Sequence, residues 1–353
     1  MKRIVFFILV AILILLLAFM IWPEDSYSPH ELSEVFNTQA RSFIVPAPPP
    51  DWQEKDFVAA DGRRLRWGET GNRGAAKATL IFIPGFGSFQ DMYWEQIDLF
   101  ARRGYHVIGL DLRGQGGSER DEPHLPERLI PESFEPYSDD VAQWFGGLDL
   151  DQTRPVLAVS LSFGAHVLTR SIGDHDLPID GMLALAPAYR TQTAPYDYKT
   201  ALRLLKTLSF FNKDKSYAPG QGDWQPYSQD LTAHMPCGSY PERLFRRDII
   251  LANRPDLRTG GATVAWLLAL HESGELLSSN ADYTASIKLP IHILLAEDDV
   301  LVDNDFTRGL CLSGFSNCRL SVAPQSRHCM LMENDTVLEL IFNRLDALLE
   351  DVR

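Results

Sequence analysis

The sequence predicts an α/β fold: a mostly parallel sheet with helices on both faces, interrupted by one insertion and preceded by one apolar helix. Three observations carry that prediction. Short apolar runs at Thr79 to Ile83, Val156 to Val159, Met182 to Ala186 and Ile291 to Leu295 alternate with stretches of helical character. Runs of that length without polar alternation suit strands buried on both faces. One of them leads through a turn of small residues straight into a helix. Residues 189–289 separate two of the runs, room for an insertion into a single large domain. The expected divisions are an anchor at 1–22, a Pro-rich spacer at 23–54, a body of 55–188 and 290–353, and the insertion at 189–289.

Lys2 and Arg3 precede Ile4 to Trp22, nineteen uncharged apolar residues, of which fifteen are Leu, Ile, Val or Phe. At 1.5 Å per residue a helix there is about 28 Å long, close to the thickness of a bilayer's hydrocarbon core. A cleaved signal peptide has an apolar region of about 7–15 residues ending in an A-x-A-like site. This run is longer and has no clear site, so an uncleaved transmembrane signal anchor is expected. Its positive flank stays cytoplasmic and the body is exported. From Pro23 to Trp52 come a polar helix-like stretch, His30 to Arg41, and Pro46-Ala47-Pro48-Pro49-Pro50, which read as a spacer of polyproline character.

The run Val156 to Val159 continues into Ser160-Leu161-Ser162-Phe163-Gly164 and then a helix from Phe163 to Ile172. Strand, tight turn and helix form the context of a nucleophile elbow, whose pattern is G-x-S-x-G. Ser160 stands at the first Gly and keeps that position small. Ser162 is therefore the candidate nucleophile; Ser160 is the poorer one, because the residue two places on is not Gly. The structural alternative, a serine that merely caps the helix, loses weight as the other parts appear.

Those parts follow in the order Ser, acid, His. Ile291 to Leu295 runs into Ala296-Glu297-Asp298-Asp299, and a strand at Arg319 to Ala323 precedes His328 and a helix starting near Glu333. Asp299 is the expected acid. Glu297 and Asp298 also read as solvated turn residues, and Asp303 as a cap for the next helix. His166, four residues after Ser162 on the following helix, reads as a residue that packs against the sheet or faces solvent rather than as the base. Two backbone N–H groups are expected to form an oxyanion hole: that of Phe163, and that of Phe86 in Pro84-Gly85-Phe86-Gly87 after Thr79 to Ile83.

On these residues the chain resembles the α/β-hydrolase superfamily, and within it the monoacylglycerol lipase and bacterial lysophospholipase branch. Asp111-Leu112-Arg113-Gly114-Gln115-Gly116 is similar to that branch's D-x-R-G-x-G turn, with Arg113 expected to hold the turn. Gly260-Gly261-Ala262-Thr263 with Trp266 resembles a cap-helix signature, and Phe57 to Gly62 the first hairpin. The likeness covers about residues 55 to 350. The branch's Gly-His before the nucleophile is here Ser160-Leu161, and its His-Gly oxyanion motif is Pro84-Gly85. The resemblance implies hydrolysis of single-chain lipid esters, a cap formed by 189–289, and a periplasmic body if the source is a Gram-negative bacterium. Proline iminopeptidases of the same fold carry His-Gly-Gly-Pro-Gly at the oxyanion loop. Haloalkane dehalogenases and epoxide hydrolases would have Asp at 162.

Other function classes fare worse. A net charge of −14 argues against nucleic acid. Without C-x-x-C, H-E-x-x-H or Walker patterns, no metal and no cofactor is expected. Gly85-Phe86-Gly87 with Asp111 mimics part of a dinucleotide fingerprint, yet Gln90 stands where its third glycine belongs. A catalytically silent anchored binding module remains the alternative outside enzymes. The insertion carries 12 Lys plus Arg against 10 Asp plus Glu over residues 190–288. Within it Lys199, Arg203 and Lys206 share a helical face near Leu202, Leu205 and Leu208, followed by Phe210 and Phe211. That segment reads either as a lipid-contacting amphipathic helix or as an ordinary packed helix. Cys311 and Cys318 flank a short loop at a spacing open to a bridge; Cys237 and Cys329 read as free thiols.

Overall fold

Among the described residues of this computed structural model, 27, 31–41, 43–226 and 237–353, eight strands form one sheet. They are β1 (Gln53–Val58), β2 (Arg64–Thr70), β3 (Ala78–Ile83), β4 (Tyr105–Leu110), β5 (Val156–Leu161), β6 (Gly181–Leu185), β7 (Ile291–Ala296) and β8 (Cys318–Ala323). Their order is β1-β2-β4-β3-β5-β6-β7-β8. The β1–β2 hairpin and its pairing to β4 are antiparallel, and every later pairing is parallel. From β3 the chain turns first to β4 on one side and then to β5 on the other. The carboxyl ends of β3 and β5 therefore flank the topological switch point, where open α/β sheets form their binding crevice.

The helices are α1 (Glu34–Ala40), α2 (Trp94–Arg102), α3 (Glu135–Gly146), α4 (Phe163–His175), α5 (Tyr198–Phe210), α6 (Pro241–Asn253), α7 (Val264–Ser279), α8 (Ala281–Ser286), α9 (Asn304–Ser313) and α10 (Asp335–Asp351). Polar side chains start several of them: Asp197, Thr263, Asn280, Asp303 and Asn334 each accept an N–H in the first turn. Asp303 is thus a cap, as the sequence allowed. β3 to β7 are buried along their whole length because helices cover both faces. Strand alternation divides their side chains. Leu80, Phe82, Leu157 and Val159 pack with Ile97 and Phe100 of α2 and Leu338 and Ile341 of α10. Ile81, Ile83, Ala158 and Met182 pack with Val141 and Trp144 of α3 and Val167 and Leu168 of α4.

Two expectations need correction. The segment expected as a spacer lies against the body: Phe36 of α1 is fully buried on Phe245 and Ile249 of α6, Phe43 meets Phe245 edge-on, and the Trp52 ring lies 4.7 Å from that of Trp94. Three aromatic rings within 17 residues bury too much apolar surface to stay extended in water. Its helix spans Glu34–Ala40, shorter than expected. Nor are Cys237 and Cys329 free: they form a disulfide, alongside Cys311–Cys318. A sequence separation of 92 hides a pairing that only the return of the insertion to the sheet creates. The transmembrane anchor expected at 1–22 lies outside the described residues. Among those described, no helix is long and apolar enough to cross a membrane.

The turn after β4 shows why its residues are charged. Asp111 is fully buried and accepts from Arg66 Nε at 2.8 Å and from the N–H groups of Gln90 and Gly117, each at 2.9 Å. These contacts occupy the carboxylate that a dinucleotide reading would require for a ribose. Arg113 forks onto buried Asp140 of α3 through two 2.6 Å bonds and reaches Asp61 at 3.0 Å. It holds the turn to α3, as expected. Removing one partner of such a pair strands a buried charge, so Arg113→Ala should lower unfolding free energy by about 3–5 kcal/mol in urea titrations. Replacing both partners, Arg113→Met with Asp140→Leu, should recover most of that loss.

Candidate active site

Ser162 sits at φ 55°, ψ −120°, a conformation L-residues with a Cβ rarely hold. Packing enforces it. A Cβ at Gly164 would lie 2.3 Å from Pro84 O and 2.6 Å from Ile83 O, so only glycine lets α4 start this close to β3. Ser160 is fully buried, and its hydroxyl donates to Ile83 O at 2.7 Å. It braces the same approach and leaves Ser162 as the hydroxyl at the crevice. The backbone carbonyl of Ser162 accepts from the N–H of His166 and of Ala188, both at 3.1 Å.

His328 Nε2 lies 2.8 Å from Ser162 Oγ, and its Nδ1 lies 2.8 Å from Asp299 Oδ2. A carboxylate only accepts, so Nδ1 carries the hydrogen and Nε2 is left to accept from the serine hydroxyl. The second oxygen of Asp299 accepts from the N–H groups of Leu301 and Val302 at 2.9 and 3.1 Å. These bonds fix the acidic register: the side chain of Asp299 is fully buried and turned inward. Glu297 instead accepts from Gln325 N–H at 2.8 Å on the exposed side. The structure thus brings Ser162, His328 and Asp299 into one hydrogen-bonded chain.

The loop after β3 lies alongside. A Cβ at Gly85 would touch Ser162 Cβ at 3.1 Å. Among the described residues, neither the Phe86 nor the Phe163 N–H donates to an acceptor in the protein. Gln115, the second variable position of the D-x-R-G-x-G turn, braces this loop. Its amide donates to Gly85 O at 2.8 Å and Ser88 O at 3.0 Å and accepts from Gly87 N–H at 3.1 Å, all fully buried. The insertion adds the other wall: Trp266 on α7 packs its ring 4.3 Å from that of Phe86 and 5.1 Å from that of Phe163. Thr263, from the same glycine-rich segment, caps α7.

His166 is not part of this chain. Fully buried on α4, it contacts Ala188 O through Nδ1 and Ser273 Oγ of α7 through Nε2, each at 2.8 Å. Burial pushes its pKa down to about 3, with a smaller downward push from Arg170. The sign of the effect follows from proton counting. Below about pH 6.5 the unfolded chain protonates this imidazole and the native state does not, so stability is whole above that pH and falls as pH drops toward 3. The slope from this group is at most about 1.4 kcal/mol per pH unit. Urea unfolding between about pH 7.5 and 5 should show wild type losing stability more steeply than His166→Gln. Parallel curves would mean that the native imidazole is charged.

A family model described as serine aminopeptidase, S33, matches residues 74–335. The chain is 25% identical over 266 residues to the "Probable lysophospholipase L2" of Haemophilus influenzae, covering 74% of this chain and 80% of the relative. It is 26% identical over 233 residues to phospholipase YtpA of Bacillus subtilis, covering 64% and 77%. A soluble variant of monoglyceride lipase from Saccharomyces cerevisiae, solved with a substrate analog, superposes with a TM-score of 0.66 at 18% identity, covering 88% of this chain and 98% of that one. The Paleococcus ferrophilus monoacylglycerol lipase gives 0.59 at 15% identity over 81% and 98%. These two likenesses establish the fold. With a family model spanning most of its length, the chain belongs to the serine aminopeptidase S33 family of α/β hydrolases.

Proposed function

We propose that this chain is a serine hydrolase that cleaves carboxylic esters of single-chain lipids, lysophospholipid or monoacylglycerol, through an acyl-enzyme on Ser162. One observation carries the reading: His328 hydrogen-bonded at 2.8 Å on one side to Ser162 and on the other to Asp299. In this reading His328 Nε2 takes the serine proton as Oγ attacks the ester carbonyl carbon. Asp299 keeps the imidazole in the required tautomer and stabilises the imidazolium. The developing oxyanion accepts from the Phe86 and Phe163 N–H groups, each worth about 3 kcal/mol in the transition state. His328 then returns the proton to the leaving alcohol, and water repeats the sequence on the acyl-enzyme.

The lipid part rests on the names of the two relatives and the two solved lipases, and on α5. Among the described residues α5 buries no side chain; Phe210 is 81% exposed and Phe211 36%, beside a face bearing Lys199, Arg203 and Lys206. Such a helix suits contact with acyl chains or a lipid surface. Membrane attachment through residues 1–22, with the body exported, fits the same substrate. The two disulfides support an oxidising compartment.

A fluorophosphonate probe should modify the full-length protein at Ser162, located by peptide mass spectrometry. Ser162→Ala should lose turnover by a factor on the order of 10⁶. An unmodified folded protein would favour the silent binding module, and modification at Ser160 would break the elbow assignment. Monoacylglycerol and lysophospholipid should be cleaved in preference to aminoacyl anilides. The reverse preference would favour the aminopeptidase activity that the family description names. Replacing Phe210 and Phe211 with Ser should lower hydrolysis of lipid esters relative to soluble short-chain esters; an unchanged ratio would remove α5 from the lipid reading.

A further inference from the structure

The insertion returns to the sheet beside the loop that carries His328, and three kinds of bond join them there. Cys329, the next residue after His328, is bonded through sulfur to Cys237, and its N–H donates to Cys237 O at 2.6 Å. Glu333 is fully buried between the two segments. Its Oε1 accepts from Arg327 N–H and from Ser239 N–H, both at 2.9 Å, and its Oε2 accepts from the Ser239 hydroxyl. The Arg327 guanidinium reaches Gly238 O at 3.3 Å, and Arg243 of α6 donates to the Glu333 carbonyl. Residues 327 and 329 are thus tied to 237–239, while the imidazole between them reaches the other way, to Ser162 and Asp299.

We propose that the Cys237–Cys329 disulfide, with Glu333 as a positioning residue, is a clamp on His328, and that opening the disulfide lowers turnover reversibly. The proposal rests on the serine hydrolase reading. Its physical basis is the narrow tolerance of the site. Both bonds of His328 are 2.8 Å long, hydrogen bonds weaken steeply with misalignment, and a displacement of about 1 Å can cost about 10²-fold in rate. A crosslink one residue from the imidazole limits such displacement more directly than one elsewhere. Cys311–Cys318 offers the contrast: Cys318 begins β8, at the end of the strand away from His328.

Opening the bond with a dithiol is balanced. A reagent thiolate attacks one sulfur, the Sγ–Sγ bond breaks with its electron pair leaving on the other sulfur, and a mixed disulfide forms. The reagent's second thiolate then closes a cyclic disulfide and releases the first cysteine. Two electrons pass to the protein, which ends with two thiols.

The test uses full-length chain in detergent micelles, on a Cys311→Ser, Cys318→Ser background so that Cys237–Cys329 is the bridge being opened. Competent sites are counted by fluorophosphonate labelling taken to completion, and kcat per labelled site and KM are measured with p-nitrophenyl butyrate. The measurements are repeated in dithiothreitol and again after reoxidation. Reduction should lower kcat per site by about 10- to 100-fold with KM within about twofold, and reoxidation should restore it. Cys237→Ser with Cys329→Ser should sit at the reduced value and ignore dithiothreitol. Glu333→Gln should lower kcat per site even when oxidised. Unchanged kcat per site, with mass spectrometry showing the bridge open, overturns the clamp. Fewer labelled sites at unchanged kcat per site also overturns it, since the bond would then serve stability alone. No adduct on the oxidised protein overturns the Ser162 reading and the clamp with it.

Discussion

The site depends on how closely the backbone leaving β5 can pass the backbone leaving β3. Gly164 lies where any side chain would strike Pro84 O or Ile83 O, and Ser160 ties the same two strands through its hydroxyl. That approach holds Ser162 at positive φ. A larger residue at 160 or 164 would separate the two strand ends and shift Ser162 from the loop after β3. Serine at 160 departs from the usual glycine, yet it keeps the position small and adds a bond across the junction. Strain at Ser162 is therefore sustained by the parallel pairing of β3 with β5 and by the helices packed on both faces.

The sequence revealed what is encoded locally. β3, β5, β6 and β7 were legible because strands buried on both faces read as unbroken apolar runs, and their observed ends fall within two residues of those expected. Ser162 was legible as a candidate because it lies on a turn just after such a strand, and His328 because it follows the more polar edge strand β8 and precedes a helix. Asp299 was less so: three acids stand in a row, and the choice among them rests on N–H groups of Leu301 and Val302 that only the folded loop presents. Gln115 and the Cys237–Cys329 bridge were not legible. Each acts on a partner distant in the chain, and a lone Gln or Cys carries no periodicity. The spacer was misread because polyproline composition suggested extension, whereas Phe36, Phe43 and Trp52 give it apolar surface to bury.

His166 and His328 show how little burial alone says about a histidine. Both are almost fully buried, and both make 2.8 Å bonds from each ring nitrogen. The partners differ. Burial disfavours a charged His166, the Ala188 carbonyl offsets this only in part and the Arg170 cation adds to it, so its pKa falls to about 3. It can hold a structure but cannot accept a proton near neutral pH. His328 has the Asp299 carboxylate behind it and a hydroxyl in front, so a proton gained from the hydroxyl meets a compensating charge. The Asp, not the burial, separates the two imidazoles in chemistry.

In the proposed reaction Ser162, His328, Asp299 and the two N–H groups would act on an acyl carbonyl and contact nothing beyond its first atoms, so this set would serve many esters equally. Discrimination needs contacts to the rest of the substrate. The insertion stands where such contacts would form, because Trp266 covers the Phe86 and Phe163 rings and α7 hydrogen-bonds to α4 through Ser273. The insertion is also locked to the triad's own loops: Gln192 N–H donates to Leu301 O, Asp303 N–H to Arg190 O, and Cys237 is bonded beside His328. Displacing the insertion would therefore strain the loops of Asp299 and His328 alike. In the proposed reaction, recognition and the alignment of the acid–base pair would then be one mechanical problem, with turnover depending on parts of the substrate far from the carbonyl.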